Sequence, residues 1–153
     1  MEQLKAHGCE SQVSPGGSLA NALVAVLTTP DAQRSFLSFF DSGKLCMTAT
    51  IATAITAARV LVIEGYLLEL PGARTWLPEV LRLARVHSVR VALTAGDPGV
   101  VQRHRDMLQD LLSMGCVDLL FCNREEACEL LGRQALEEPE GSSTAAAAVL
   151  GRQ

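Results

Sequence analysis

Three short apolar runs, residues 60–63, 89–93 and 117–121, are separated by segments whose apolar residues recur at helical spacing. In the first of these segments Leu77, Val80, Leu81 and Ala84 follow the Pro71-Gly72 turn, with Pro78 expected in the first helical turn. In the second, Val100, Val101, His104, Met107, Leu108, Leu111 and Leu112 follow the turn at residues 96–99 and trace one helix face. Helices between successive buried strands force parallel pairing through right-handed crossovers. The expected fold class is doubly wound α/β.

Parallel strands share a direction, so this topology carries Glu64, Asp97 and Asn123 to one edge of the sheet. That edge is where open α/β sheets bind ligands, because strand-to-helix turns present helix N-termini and polar side chains there. The third strand enters its helix through an Asn-x-x-Glu step, Asn123 and Glu126. The same step is an ordinary capping box, in which two side chains satisfy orphan helix N–H groups. His87 and His104 fall at boundary or apolar helical positions and are given no role. Residues 137–144 read as a polar loop, and residues 145–150 as a short helix capped by Ser or Thr.

Composition narrows the classes of partner. With 48% hydrophobic and 20% charged residues, the 153-residue chain supports one domain with a real core. Its net charge of -4 argues against nucleic acid or an anionic membrane as partner, since both need clustered Lys and Arg. The basic run Arg103-His104-Arg105 reads as a solvated helix face. Five cysteines without a C-x-x-C pair do not look like a disulfide framework, which implies a reducing compartment. No segment reaches the apolar length of a membrane span, and residues 1–15 lack a signal core or an Arg-rich transit pattern. A soluble, cytoplasmic location is the default expectation, with a plastid address left open.

Residues 15–21, Pro-Gly-Gly-Ser-Leu-Ala-Asn, open a further helix. Together with Asn123 and Glu126 they resemble the ribokinase-like, or PfkB, family of sugar and nucleoside kinases. The strand running into Glu64-Gly65-Tyr66, and the one running into Gly96-Asp97, are similar to that family's strands in the same order. Residues 28–34 look closest to a plant or algal branch of the adenosine-kinase-like subgroup. The resemblance covers most of residues 14–150. It implies a three-layer α/β/α fold with a mainly parallel sheet, incomplete here, and phosphoryl transfer from magnesium ATP to a hydroxyl of a sugar or nucleoside. By the same resemblance Gly16, Gly17, Asn21 and Glu64 bind the hydroxylated substrate. Asn123 and Glu126 serve the nucleotide and magnesium, Glu126 indirectly through water.

Two departures from the family pattern stand out. A helix over residues 18–26 competes with a hairpin made of residues 24–29 and 34–40 around Pro30, and no loop residue separates the two claims. An internal deletion near Val26 and Leu27 would explain the clash. The family's Gly-Ala-Gly-Asp turn, whose aspartate is the general base, occurs nowhere in the chain. No catalytic residue is therefore assigned, and residues 1–14 are read as a disordered lead without strand pattern. The expected product is a shortened, inactive kinase domain with a sheet edge open to self-association. The alternative is a non-catalytic scaffold that binds a partner; a generic flavodoxin-like domain fits less well, since no phosphate-binding turn follows an early strand.

Overall fold

The computed structural model describes residues 6–9, 23–32, 34–39, 47–132 and 146–149. Two compact units divide the chain, residues 1–44 and residues 45–153.

In the first unit, β1 (Leu23–Thr28) and β2 (Arg34–Phe39) form an antiparallel hairpin in which Leu23 pairs with Phe39 and Thr28 with Arg34. The strand reading therefore prevails over the helical one at Val24–Val26. The physical reason lies in the turn and the pairing. Ala32 N–H donates to the Thr29 carbonyl at 2.9 Å across Pro30, Ala32 takes a left-handed φ of 65°, and β-branched Val24 and Val26 suit a pleated strand. The part of the helical reading that falls on residues 18–22 lies outside the described residues.

The second unit opens with α1 (Ala49–Ala57), capped by Thr48, whose hydroxyl accepts from Ile51 N–H at 3.2 Å. There follow β3 (Val60–Ile63), a 3₁₀ turn (Gly65–Glu69), α2 (Ala73–Val86), β4 (Arg90–Thr94), α3 (Pro98–Ser113), β5 (Leu119–Cys122), α4 (Arg124–Leu131) and β6 (Ala146–Val149). The sheet order is β3-β4-β5-β6. The first three strands are parallel and β6 is antiparallel, so the expected α/β class is observed. The helix expected over residues 145–150 is not: Ala146–Val149 pairs with Cys122–Leu119. Alanine favours helix in isolation, but here the open edge of β5 supplies a ladder of backbone partners, and pairing overrides propensity.

Helix α2 begins earlier than its apolar spacing indicates. Gly72, at φ 80°, caps it, so Pro78 lies in the second turn and not the first. There the ring removes one helical N–H, and the Arg74 carbonyl loses its donor. Leu77, Val80, Leu81 and Ala84 are buried on one face of α2, and Val100, Val101, Met107, Leu108 and Leu111 on one face of α3. Consecutive helices touch one another in the order α1, α2, α3, α4, which makes them a single layer. Beneath that layer the strands supply Ile63, Val91, Leu93 and Leu120 to one core. Each fully buried Leu or Val contributes about 1.5–3 kcal/mol.

The register places Val62, Ala92 and Leu119 on the opposite face, with Thr94 beside Phe121. This face is open at its ends, where Val62 is 66% and Phe121 46% exposed, while Ala92 between them is buried. Within the second unit the described helices therefore lie on one side of the sheet.

Two features lock the strand ends. At the amino edge Asp118 acts as a backbone surrogate: its N–H donates to the Val91 carbonyl at 2.9 Å and its Oδ2 accepts from Val91 N–H at 2.8 Å. At the carboxyl edge Gly65 presses on the end of β4, where a Cβ would stand 2.4 Å from the Ala95 carbonyl oxygen and 2.6 Å from that of Thr94. Both neighbours are backbone and cannot swing aside. Gly65→Ala should therefore lower stability by at least about 1–3 kcal/mol, read as an early thermal or urea transition; an unchanged transition would contradict the close approach.

Candidate functional site

The carboxyl edge of the sheet gathers the polar side chains. Ile63 pairs with Leu93, so one residue further along Glu64 stands beside Thr94, on the open face. The Thr94 hydroxyl donates to Glu64 Oε1 at 2.6 Å and accepts from Gly65 N–H at 3.1 Å. Asp97 caps α3 through Oδ1, which accepts from Val100 N–H at 2.8 Å, with Pro98 at the first helical position. The Tyr66 hydroxyl donates to the Asp97 carboxylate, joining the 3₁₀ turn to the helix start. Glu69, in the same turn, accepts from Arg103 Nε at 2.8 Å and has His104 Nε2 3.7 Å away. His104 itself interrupts α3 with non-helical φ and ψ of -120° and 22°.

These contacts shift two groups. Partial burial raises the Asp97 carboxyl, but hydrogen bonds from Tyr66 and from Val100 and Gly99 N–H, with the nearby Arg103 charge, outweigh it. The net shift is below the ordinary carboxylate range. The Tyr66 phenol is pushed up to about 12, first because it donates to Asp97 and then through burial and the neighbouring carboxylates.

The third strand ends in a complete capping box. Asn123 Oδ1 accepts from Glu126 N–H at 2.8 Å, while Glu126 Oε2 accepts from Asn123 N–H at 2.9 Å and its Oε1 from Asn123 Nδ2 at 3.0 Å. Glu126 is 7% exposed, a buried carboxylate held by one neighbour through both oxygens. Its charge and the surrounding burial raise the Cys122 thiol, burial being the larger cause. The expected strand edge thus holds Glu64, Asp97 and Asn123, with β4 lying between β3 and β5. Two interstrand spacings, about 10 Å, separate the Glu64 and Asn123 strands. Gly16, Gly17 and Asn21 lie outside the described residues.

Among the described residues no group of three or more His, Cys, Asp or Glu could hold a metal ion. Glu126 gives one acceptor position on each carboxylate oxygen to Asn123, which leaves a second lone pair on each.

The opposite edge carries an open recess of about 470 Å³ lined by Ala58, Arg59, Ser88, Arg90 and Asp118. Both arginines are exposed. The Asp118 carboxylate accepts from Val91 N–H.

Thr94, Gly65 and Tyr66 were not singled out by sequence. Tyr66 and Gly65 follow Glu64 directly and could have been weighed with it, but Thr94 acts across strands and needs the register to be seen.

Comparison with solved structures gives the class. A probable sugar kinase from Rhizobium etli CFN 42 matches with a TM-score of 0.73 and 29% identity, over 85% of this chain and 40% of that one. Adenosine kinase from Sinorhizobium meliloti matches with a TM-score of 0.73 and 27% identity, over 85% and 40%. Neither a protein-family model nor a curated protein matches the sequence. The chain has the ribokinase-like, PfkB-type α/β fold. Within that class it shares its architecture with a sugar kinase and an adenosine kinase, and it spans 40% of the length of each. No helix among the described residues is long and apolar enough to cross a membrane.

Tyr66 is the only tyrosine in the chain, so its titration can be read directly as phenolate absorbance. The midpoint should lie near 12 in the folded chain and fall toward the ordinary 10 in Asp97→Ala. Because the folded value is raised, the contact stabilises fully below pH about 10 and is lost as pH rises toward 12. An ordinary midpoint in the folded wild type would mean that Tyr66 and Asp97 are not joined.

Proposed function

We infer that the carboxyl edge of β3 and β4 is the hydroxyl-binding side of a PfkB-type phosphotransfer site. The observation that carries this reading is Glu64, held by Thr94 at the strand end, in a fold shared with a sugar kinase and an adenosine kinase. A carboxylate fixed at such an edge accepts from a sugar hydroxyl, and Asn21 with the Gly16-Gly17 turn would contribute further contacts to vicinal hydroxyls. Asn123 and Glu126 would face the nucleotide side, Glu126 through water. Bound magnesium would supply charge neutralisation at the ATP phosphates. The residues of this chain position the acceptor hydroxyl, which is the larger part of such catalysis.

The chain contains no Gly-Ala-Gly-Asp turn, so neither the general base nor its neighbouring anion site has a counterpart in it. Losing a base costs ~10²–10⁴-fold in rate, and losing an anion-hole donor another ~10²–10³-fold. The 153-residue chain is accordingly read as binding its hydroxylated substrate without turning it over. The open sheet face at Val62 and Phe121 favours a second reading, a non-catalytic module whose sheet receives a partner.

A panel of sugars and nucleosides, assayed with and without magnesium ATP, separates these readings. Binding without phosphorylation is expected, and Glu64→Gln should weaken it by about tenfold to a hundredfold. Turnover above background would overturn the inactive reading. Failure of every sugar and nucleoside to bind would remove the site and leave the partner-binding module.

A further inference from the structure

The geometry points to Thr94 as the positioning residue that fixes Glu64, so that one carboxylate oxygen is held by the protein and the other is offered to a single substrate hydroxyl. The inference rests on the hydroxyl-binding reading of this edge and adds a residue to it.

Val62 pairs with Ala92 and Ile63 with Leu93, so the next pair on the open face is Glu64 with Thr94. A threonine hydroxyl has one proton to give. Here it goes to Glu64 Oε1 at 2.6 Å, and the oxygen in turn accepts from Gly65 N–H at 3.1 Å. The hydroxyl is therefore oriented from both sides: the backbone holds its oxygen, and its proton points at the carboxylate. Oε1 thereby uses one of its lone pairs inside the protein. Among the described residues Oε2 accepts no such hydrogen bond, and it is the oxygen left to receive a donor from solution.

A glutamate side chain at a strand end has three rotors and would otherwise sample many directions. Thr94 is β-branched and stiff at its first torsion, and Gly65 is pressed against the Ala95 and Thr94 carbonyls, so both anchors are rigid. The specificity that follows is for one hydroxyl placed in line with Oε2. A vicinal pair gripped by both oxygens would have to share Oε1 with the Thr94 proton, on its one remaining lone pair.

The test is calorimetric titration of the 153-residue chain with adenosine and with ribose, in wild type, Thr94→Val, Thr94→Ser, Glu64→Gln and the double variant Thr94→Val/Glu64→Gln. Thr94→Val keeps the shape without the proton and should weaken the binding ligand by about tenfold. Thr94→Ser restores the hydroxyl and should bind within about threefold of wild type, which a purely structural role for the methyl group would not give. The double variant should be no weaker than Glu64→Gln, because Thr94 acts through Glu64. Far-ultraviolet dichroism of each variant checks that it is folded, and Thr94→Ser carries the test if Thr94→Val is not. Wild-type affinity in Thr94→Val alongside a loss in Glu64→Gln would overturn the role of Thr94 and leave the site standing. Unchanged affinity in Glu64→Gln, or no binding of either ligand to wild type, would overturn the site reading and this inference with it.

Discussion

The second unit depends on β4, which has parallel neighbours on both sides and is buried at Val91, Ala92 and Leu93. Its ladder sets the positions of β3 and β5, and Asp118 locks the start of the β4–β5 pair by hydrogen bonds in both directions with Val91. Its far end delivers Thr94 to Glu64 and, through Gly96, the chain to Asp97. Core and candidate site are thus two ends of the same strand. A change in register by one residue would bury the polar row and expose Val91 and Leu93.

The open face follows from the direction of winding. Right-handed crossovers that step from β3 to β4 to β5 place their helices on one side, and in the second unit α1 to α4 lie in one layer. Covering the other face needs strands added in the reverse direction, which is the doubly wound arrangement of the class. The exposed valine and phenylalanine on that face are the physical cost of its absence among the described residues.

Much of this was legible before any coordinates. The runs at residues 60–63, 89–93 and 117–121 read as strands by their length and the turns around them, and the spacing of Leu77, Val80, Leu81 and Ala84 as a helix face, although Val62 and Phe121 are exposed. Element ends moved by a residue or two because backbone pairing, and not hydropathy, decides where a strand stops. The residues around 24–26 and 145–150 were harder. Val24–Val26 fits both a helix after a Gly-Gly turn and a strand before Pro30, and the pairing with β2 decided it. The alanine run has local helix propensity and no local strand signal, so only the neighbouring β5 edge could reveal it. At the site, Glu64, Asp97 and Asn123 were readable from strand direction alone. The Asn123–Glu126 box was readable as a cap, and its geometry is that of a cap. Thr94 and the Tyr66–Asp97 contact were not readable, because both join residues about thirty apart through the register of the sheet.

The central claim is that the polar row at the carboxyl edge of β3 and β4 receives a hydroxylated ligand. The most direct measurement is a nuclear magnetic resonance titration of the isotope-labelled chain with adenosine and ribose, following every assigned amide. The account predicts shifts concentrated at Glu64–Tyr66 and Thr94–Asp97, with the Arg59, Ser88 and Arg90 amides of the opposite edge unmoved. Shifts centred on that opposite edge, or none at saturating ligand, would contradict it.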